Sequence, residues 1–210
     1  MQATRRPAAN WMTGLQESLI DQLRRATAAR HAEVEAVLGL DAPIDLATYA
    51  RMLGAFDAFL SWWEPNLQQA LPEPMRPWFA RRCRGAMLRR DLCALSQARM
   101  PSRVSDGFAL RDFSAALGSL YVLEGSALGG QVIAREMYRQ HGLDCGNGAA
   151  YFNGWGARTG PMWTEFKAIL EHHDAQGVDR QAACDGAIGT FDALIATFTQ
   201  VLNAASTAAA

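Results

Sequence analysis

The 210-residue chain has no surplus of charge: 20 Lys+Arg stand against 21 Asp+Glu, a formal charge of −1 at pH 7. That balance excludes binding to nucleic acid through bulk positive charge, and no nucleic-acid partner is expected. No run of about 18 or more apolar residues occurs, so no helix is expected to span a bilayer and no membrane partner is expected. The four cysteines, Cys83, Cys93, Cys145 and Cys184, nowhere form a C-x-x-C pair. A zinc ribbon or a thioredoxin-type redox motif is therefore excluded, and scattered reduced thiols are expected. The N-terminal stretch carries Arg5-Arg6 but continues into Thr13, Gly14, Gln16 and Glu17 instead of an apolar region. It does not read as an export signal, which leaves a cytoplasmic protein as the expectation. A G-x-x-x-x-G-K-[ST] loop, a G-x-S-x-G elbow, an H-E-x-x-H pair and Glu-x-x-His motifs are all absent. Nucleotide hydrolysis, serine-hydrolase chemistry, zinc proteolysis and a carboxylate-bridged di-iron centre thus lack support.

Missing too is any alternating Val/Ile/Thr run bounded by a tight turn, while apolar residues recur almost everywhere at spacings of three and four. The pattern predicts an all-α fold, a single helical bundle with one core. We expect flexible ends at 1–12 and 204–210 around a domain at 13–203. A first helix should open at the capping box Thr13-Gly-Leu-Gln16 and stop at Gly39. A second should start from Asp45 and end or kink at Pro65. Pro72, Pro74 and Pro77 mark a break, after which Trp78 to about Ala98 reads as a third helix, closed by Met100, Pro101 and Ser102. A fourth should run from near Leu110 to His141, closing at Gly142. Five glycines between Cys145 and Gly160 predict a loop, and two further helices are expected at about Pro161–Ala175 and Asp179–Asn203.

The fourth helix is unusual because Gly118, Gly125, Gly129 and Gly130 lie inside it. At roughly 1 kcal/mol each relative to alanine, interior glycines need compensation. Positions 118, 125 and 129 fall on one face, leaving a stripe of bare backbone. Either another helix packs closely there or a planar ligand lies across it. His31 is the second feature, four residues after Thr27 and three and seven before Val34 and Leu38, on the apolar side of the first helix. It is either a core histidine bonded to a neighbour or the axial ligand of a haem sandwiched against the glycine face.

Three ordered motifs then carry a resemblance that covers most of residues 15–200. They are Leu23-Arg-Arg-Ala-Thr27-Ala-Ala-Arg-His31-Ala-Glu-Val-Glu35, Tyr121-Val-Leu-Glu-Gly125-Ser-Ala-Leu-Gly129-Gly130-Gln131, and Tyr151-Phe-Asn-Gly-Trp-Gly156-Ala-Arg-Thr159-Gly160-Pro-Met-Trp163-Thr-Glu-Phe166. The sequence resembles the bacterial haem oxygenases, in particular the type associated with bacteriophytochromes. The resemblance implies one haem, serving as both substrate and cofactor and cleaved with O₂ and reducing equivalents to biliverdin, CO and ferrous iron. It implies His31 as the iron ligand, Glu35 as the residue orienting that imidazole, and Gly125, Gly129 and Gly130 on the helix over the haem face. Arg24 and Lys167 are implied as partners of the haem propionates. Ser126 stands where many relatives place an aspartate that organises water, and Ala28 stands where the family has a second cation one turn before the histidine. A ferredoxin or reductase as electron donor, and a bacteriophytochrome as pigment acceptor, are the partners implied. The alternatives are a haem sensor or carrier without turnover, and a haem-free helical interaction protein.

Six arginines, Arg76, Arg81, Arg82, Arg84, Arg89 and Arg90, precede Asp91 with no acidic residue among them. They read either as a docking surface for an acidic electron donor or as a solvated helix face. Trp62, Trp63, Trp155 and Trp163 either border a haem or fill the core.

Overall fold

The computed structural model describes residues 17–97 and 109–208, and among these every regular element is helical. The helices are α1 (Leu19–Leu38), α2 (Leu46–Ala70), α3 (Arg76–Ala80), α4 (Gly85–Ala94), α5 (Phe113–His141), α6 (Ala150–Asn153), α7 (Thr159–Ala175) and α8 (Arg180–Ala208). The Thr13 capping box, the 1–12 segment and the closing Met100, Pro101 and Ser102 lie outside the described residues.

Local chemistry sets most of the ends. Ser18 Oγ accepts from Asp21 N at 3.2 Å and opens α1 five residues after the expected Thr13 start. Asp45 and Asp112 do the same for α2 and α5 through Thr48 N and Ala115 N. Gly39 and Gly142 close α1 and α5 in the left-handed region, at φ 64° and 68°. Several element boundaries differ from expectation. Of the two outcomes expected at Pro65, an end or a kink, the end is excluded: α2 continues to Ala70, held by the buried Trp63 and Leu67 on either side of the proline. The expected third helix is two short ones, because the chain turns at 81–84 to send Arg82 and Arg84 into the interior. The 145–160 loop contains α6 and a 3₁₀ turn at Gly156–Arg158. At the other end, α8 continues past Asn203 to Ala208 along an alanine-rich stretch of high helix propensity.

Two of these helices are capped from a distance. Glu64 Oε1, on α2, accepts from Arg84 N at 2.7 Å and Gly85 N at 2.9 Å and so starts α4. Asp91, on α4, accepts from Ala150 N at 2.9 Å and Tyr151 N at 2.7 Å and so starts α6. Burial pushes the Asp91 carboxyl above its usual range, and the two backbone N–H groups oppose that shift.

α2 is buried nearly all round from Tyr49 to Leu60, which makes it the central helix. α8 packs along α5, α1 and α2. Its crossing with α5 is reciprocal: a Cβ on Gly118 would lie 1.7 Å from Ala183 O, and one on Gly186 would lie 2.2 Å from Ala115 O. Glycines there let the two backbones touch. Beside that contact, Ser119 Oγ accepts from Trp63 Nε1 at 2.8 Å and sits 2.6 Å from Thr190 Oγ1, which joins α2, α5 and α8 through satisfied buried polar groups.

Candidate functional site

Because α1 and α5 both lean on α8, they enclose a cleft of about 1170 Å³. Its lining is mainly apolar, with Val34 and Leu38 from α1 and Phe191, Leu194 and Phe198 from α8. That volume exceeds the roughly 300–1,000 Å³ of most small-molecule sites and calls for a large ligand.

His31 stands in the α1 wall. Its side chain is 62% exposed, so it is no core histidine, and the imidazole packs edge-on against Phe191 with ring centroids 6.0 Å apart. Glu35 Oε1, one turn on, lies 3.6 Å from Nδ1, a little beyond direct hydrogen-bond range. A carboxylate on the Nδ1 side leaves Nε2 as the nitrogen for a metal.

The α5 wall supplies the bared backbone, and the glycine stripe divides there. Gly118 belongs to the α8 crossing. Gly129 meets nothing within 4 Å of a built Cβ, and Gly125 meets only the Trp163 ring at 3.8 Å. Both line the cleft. Gly130 borders the cleft too, but its Cβ direction faces Phe152, whose carbonyl oxygen would be 3.1 Å away. Packing against α6 therefore requires a small residue at that position.

Ser126 lines the cleft with its hydrogen bonds already committed. Its Oγ donates to Leu123 O at 2.8 Å and accepts from Arg84 Nη2 at 2.9 Å. Arg84 is the residue that sequence reasoning missed: it is buried, lines the cleft, and holds its guanidinium carbon 4.9 Å from the Tyr151 ring centroid. Tyr151, 1% exposed, also lines the cleft and carries a buried hydroxyl with no hydrogen-bond partner among the described residues. Burial pushes that phenol up to about 12. No local signal in the sequence marks Arg84, because it is held by Glu64 and Tyr151, both distant in the chain.

Behind this wall, Arg82 pairs with the buried Glu124 and donates to Glu165 Oε2 at 2.7 Å and Met162 O at 3.1 Å. These contacts tie the α3–α4 turn to the middle of α5 and to α7. Burial raises the Glu124 carboxyl above its ordinary value, with Arg82 and Arg84 opposing. The arginine run is therefore not one surface, since Arg82 and Arg84 are interior while Arg76, Arg81, Arg89 and Arg90 are exposed.

Arg24 lines the cleft and is exposed, paired with Asp21 at 2.7 Å. Lys167 is half-buried on α7, four residues past Trp163, and is not brought to the cleft lining. Ala28 lines the cleft without charge. Trp163 lines it as well, whereas Trp63 is core.

An apolar cleft with an imidazole on one wall and uncovered backbone on the other is open to a broad, flat ligand, with His31 the residue available to a metal within it. The chain matches the Heme oxygenase family model over residues 17–200, and it belongs to that family. It is 36% identical over 153 residues to a heme oxygenase from Xanthomonas campestris pv. campestris (strain 8004), covering 70% of this chain and 87% of the relative. The fold resembles that of Neisseria meningitidis heme oxygenase, described in its NO- and CO-bound crystal structures, with a TM-score of 0.70 at 19% identity over 89% of this chain and 92% of that one. It also resembles heme oxygenase from Leptospira interrogans, with a TM-score of 0.68 at 18% identity over 88% and 100% of the two chains.

Proposed function

We propose that this chain is a haem oxygenase that seats haem between α1 and α5 and, with O₂ and reducing equivalents, cleaves it to biliverdin, CO and ferrous iron. The observation that carries the reading is the placement of His31 and of Gly125 and Gly129 on the two walls of one cleft. The residues fit the group: the wall is open where a macrocycle needs backbone contact, apolar where it needs burial, and offers one imidazole.

Haem, when bound, supplies the iron and the porphyrin carbon at which oxygen chemistry occurs; the protein supplies position and electrostatics. His31 would hold the iron through Nε2, with Glu35 steadying the imidazole from the Nδ1 side. Gly125 and Gly129 would let the α5 backbone come close to the bound haem, and Gly130 keeps α6 packed behind that wall. Ser126 offers an acceptor oxygen there, without the acidity of a carboxylate. Arg24 is the cation for a propionate at the α1 edge. Lys167 remains a propionate partner only if its side chain swings toward the cleft on binding.

The exposed Arg76, Arg81, Arg89 and Arg90 suit docking of an acidic ferredoxin or a reductase. Cytoplasmic action completes the proposal, together with delivery of pigment to a bacteriophytochrome, which the sequence resemblance supports. The test is to mix the protein with one equivalent of haem, add ascorbate and catalase under air, and extract the pigment. Biliverdin from the unaltered chain and none from His31→Ala is the expected result. A stable haem complex without biliverdin would establish a sensor or carrier instead.

A further inference from the structure

Among the cations that line the cleft, Arg24, Arg135 and Arg139 are exposed on helix faces, whereas Arg84 is buried. Its position is fixed from several sides. Glu64 Oε1 accepts from its backbone N–H at 2.7 Å, and its guanidinium carbon lies 4.9 Å from the Tyr151 ring centroid and 5.7 Å from that of Trp155. Nη2 bonds both Leu123 O at 2.7 Å and Ser126 Oγ at 2.9 Å, which uses its two protons. The Nε and Nη1 protons have no hydrogen bond among the described residues, and Arg84 borders the cleft itself.

Ser126 has a single proton, and that proton goes to Leu123 O at 2.8 Å. A hydroxyl that has given up its proton can only accept. Of the Ser126–Arg84 pair, the hydrogen-bond donor left to the cleft is therefore Arg84, and its guanidinium is a cation. The neighbouring Tyr151 hydroxyl, buried and without a partner, shows that the same region keeps a second polar group unspent.

We propose that Arg84 makes the glycine wall an anion-accepting face: with haem bound, its free N–H groups donate to a small anionic ligand on the metal and favour it over a neutral one. The proposal rests on the haem reading above. It assigns to an arginine reaching in from the start of α4 the role of setting the charge at the ligand-binding face. Ser126 positions that arginine and supplies no proton of its own.

The test is a spectroscopic titration of the ferric haem complex of the full chain with fluoride, and with imidazole as the neutral comparator. Arg84→Met should weaken fluoride about tenfold or more, the scale of one charge-assisted hydrogen bond, and leave imidazole binding unchanged. Arg84→Lys should fall between Arg84→Met and the unaltered chain. Ser126→Asp leaves Arg84 in place but sets a carboxylate against its guanidinium, so it too should weaken fluoride selectively. If Arg84→Met does not fold by circular dichroism, Ser126→Asp decides the matter. Unchanged fluoride affinity in a folded variant, or equal weakening of fluoride and imidazole, overturns the proposal. Failure of the unaltered chain to bind haem appears before any fluoride is added, and it overturns the underlying reading together with this one.

Discussion

Gly118 and Gly129 lie on one face of α5, yet substitution to alanine should have opposite effects at the two positions. At Gly118 the new Cβ would fall 1.7 Å from Ala183 O and 2.6 Å from Ala183 C, so the α5 and α8 backbones must separate along their main contact. Overpacking of this kind costs about 1–3 kcal/mol, and a backbone obstacle puts it at the upper end. Helix propensity returns about 1 kcal/mol, leaving a net loss near 2 kcal/mol. For a domain of this size that is a fall in Tm of roughly 4–8 °C. At Gly129 nothing lies within 4 Å, so the same propensity gain is unopposed and the haem-free protein should gain roughly 2–4 °C. The new methyl enters the cleft, however, and haem affinity should drop. Thermal unfolding of the haem-free proteins followed by haem titration measures both effects. A Gly118→Ala protein as stable as its parent, or a Gly129→Ala protein that is destabilised, would refute the division of the glycine stripe into a packing half and a ligand half.

Asp91→Ala strips the cap from α6 and leaves two buried N–H groups unpaired, at about 1–3 kcal/mol each, so urea unfolding should show a loss of several kcal/mol. Glu124 holds its proton more tightly in the folded chain than at its ordinary value of 4.5, so its contribution to stability is full below that value and declines as pH rises through the raised one. Glu124→Gln lacks this decline, and its Tm deficit against the parent should shrink from about pH 4.5 to 7.5; a constant or widening deficit would contradict the assignment. Turnover driven by an acidic ferredoxin should slow as salt shortens the screening length below about 10 Å, while ascorbate-driven turnover should not. Arg81→Glu should reproduce the salt effect, and identical salt responses for both reductants would exclude docking at the exposed arginines.

Apart from the Ser18 cap of α1, the parts of the fold that depend on neighbouring residues were legible in the sequence. Asp45, Gly39 and Gly142 bound their helices with their own side-chain or backbone chemistry and were read in place, while the start of α5 after Asp112 was read near Leu110. The misread parts depend on groups distant in sequence. The split between α3 and α4 is capped by Glu64, and the helix hidden in the glycine-rich loop is capped by Asp91, so neither carries a local signal. Pro65 is tolerated because buried neighbours hold α2 together, which periodicity alone cannot reveal.

The site divides in the same way. His31, Glu35, Gly125, Gly129 and Ser126 sit in two motifs, and all of them line the cleft. The stripe could not be divided from sequence, because Gly118 and Gly129 share a face and only the position of α8, with Gly186 opposite, separates their roles. Arg84 was hidden among six arginines that read as a charged surface. Its burial follows from where Glu64 and Tyr151 lie, not from its neighbours in the chain.

The measurement that bears most directly on the seating of haem between α1 and α5 is resonance Raman spectroscopy of the ferrous haem complex, in the unaltered chain and in His31→Ala. An iron–imidazole stretching band should be present in the first, absent in the second, and restored when imidazole is added to the variant. An unchanged band in His31→Ala would place the ligand elsewhere and contradict the assignment of the α1 wall to the iron.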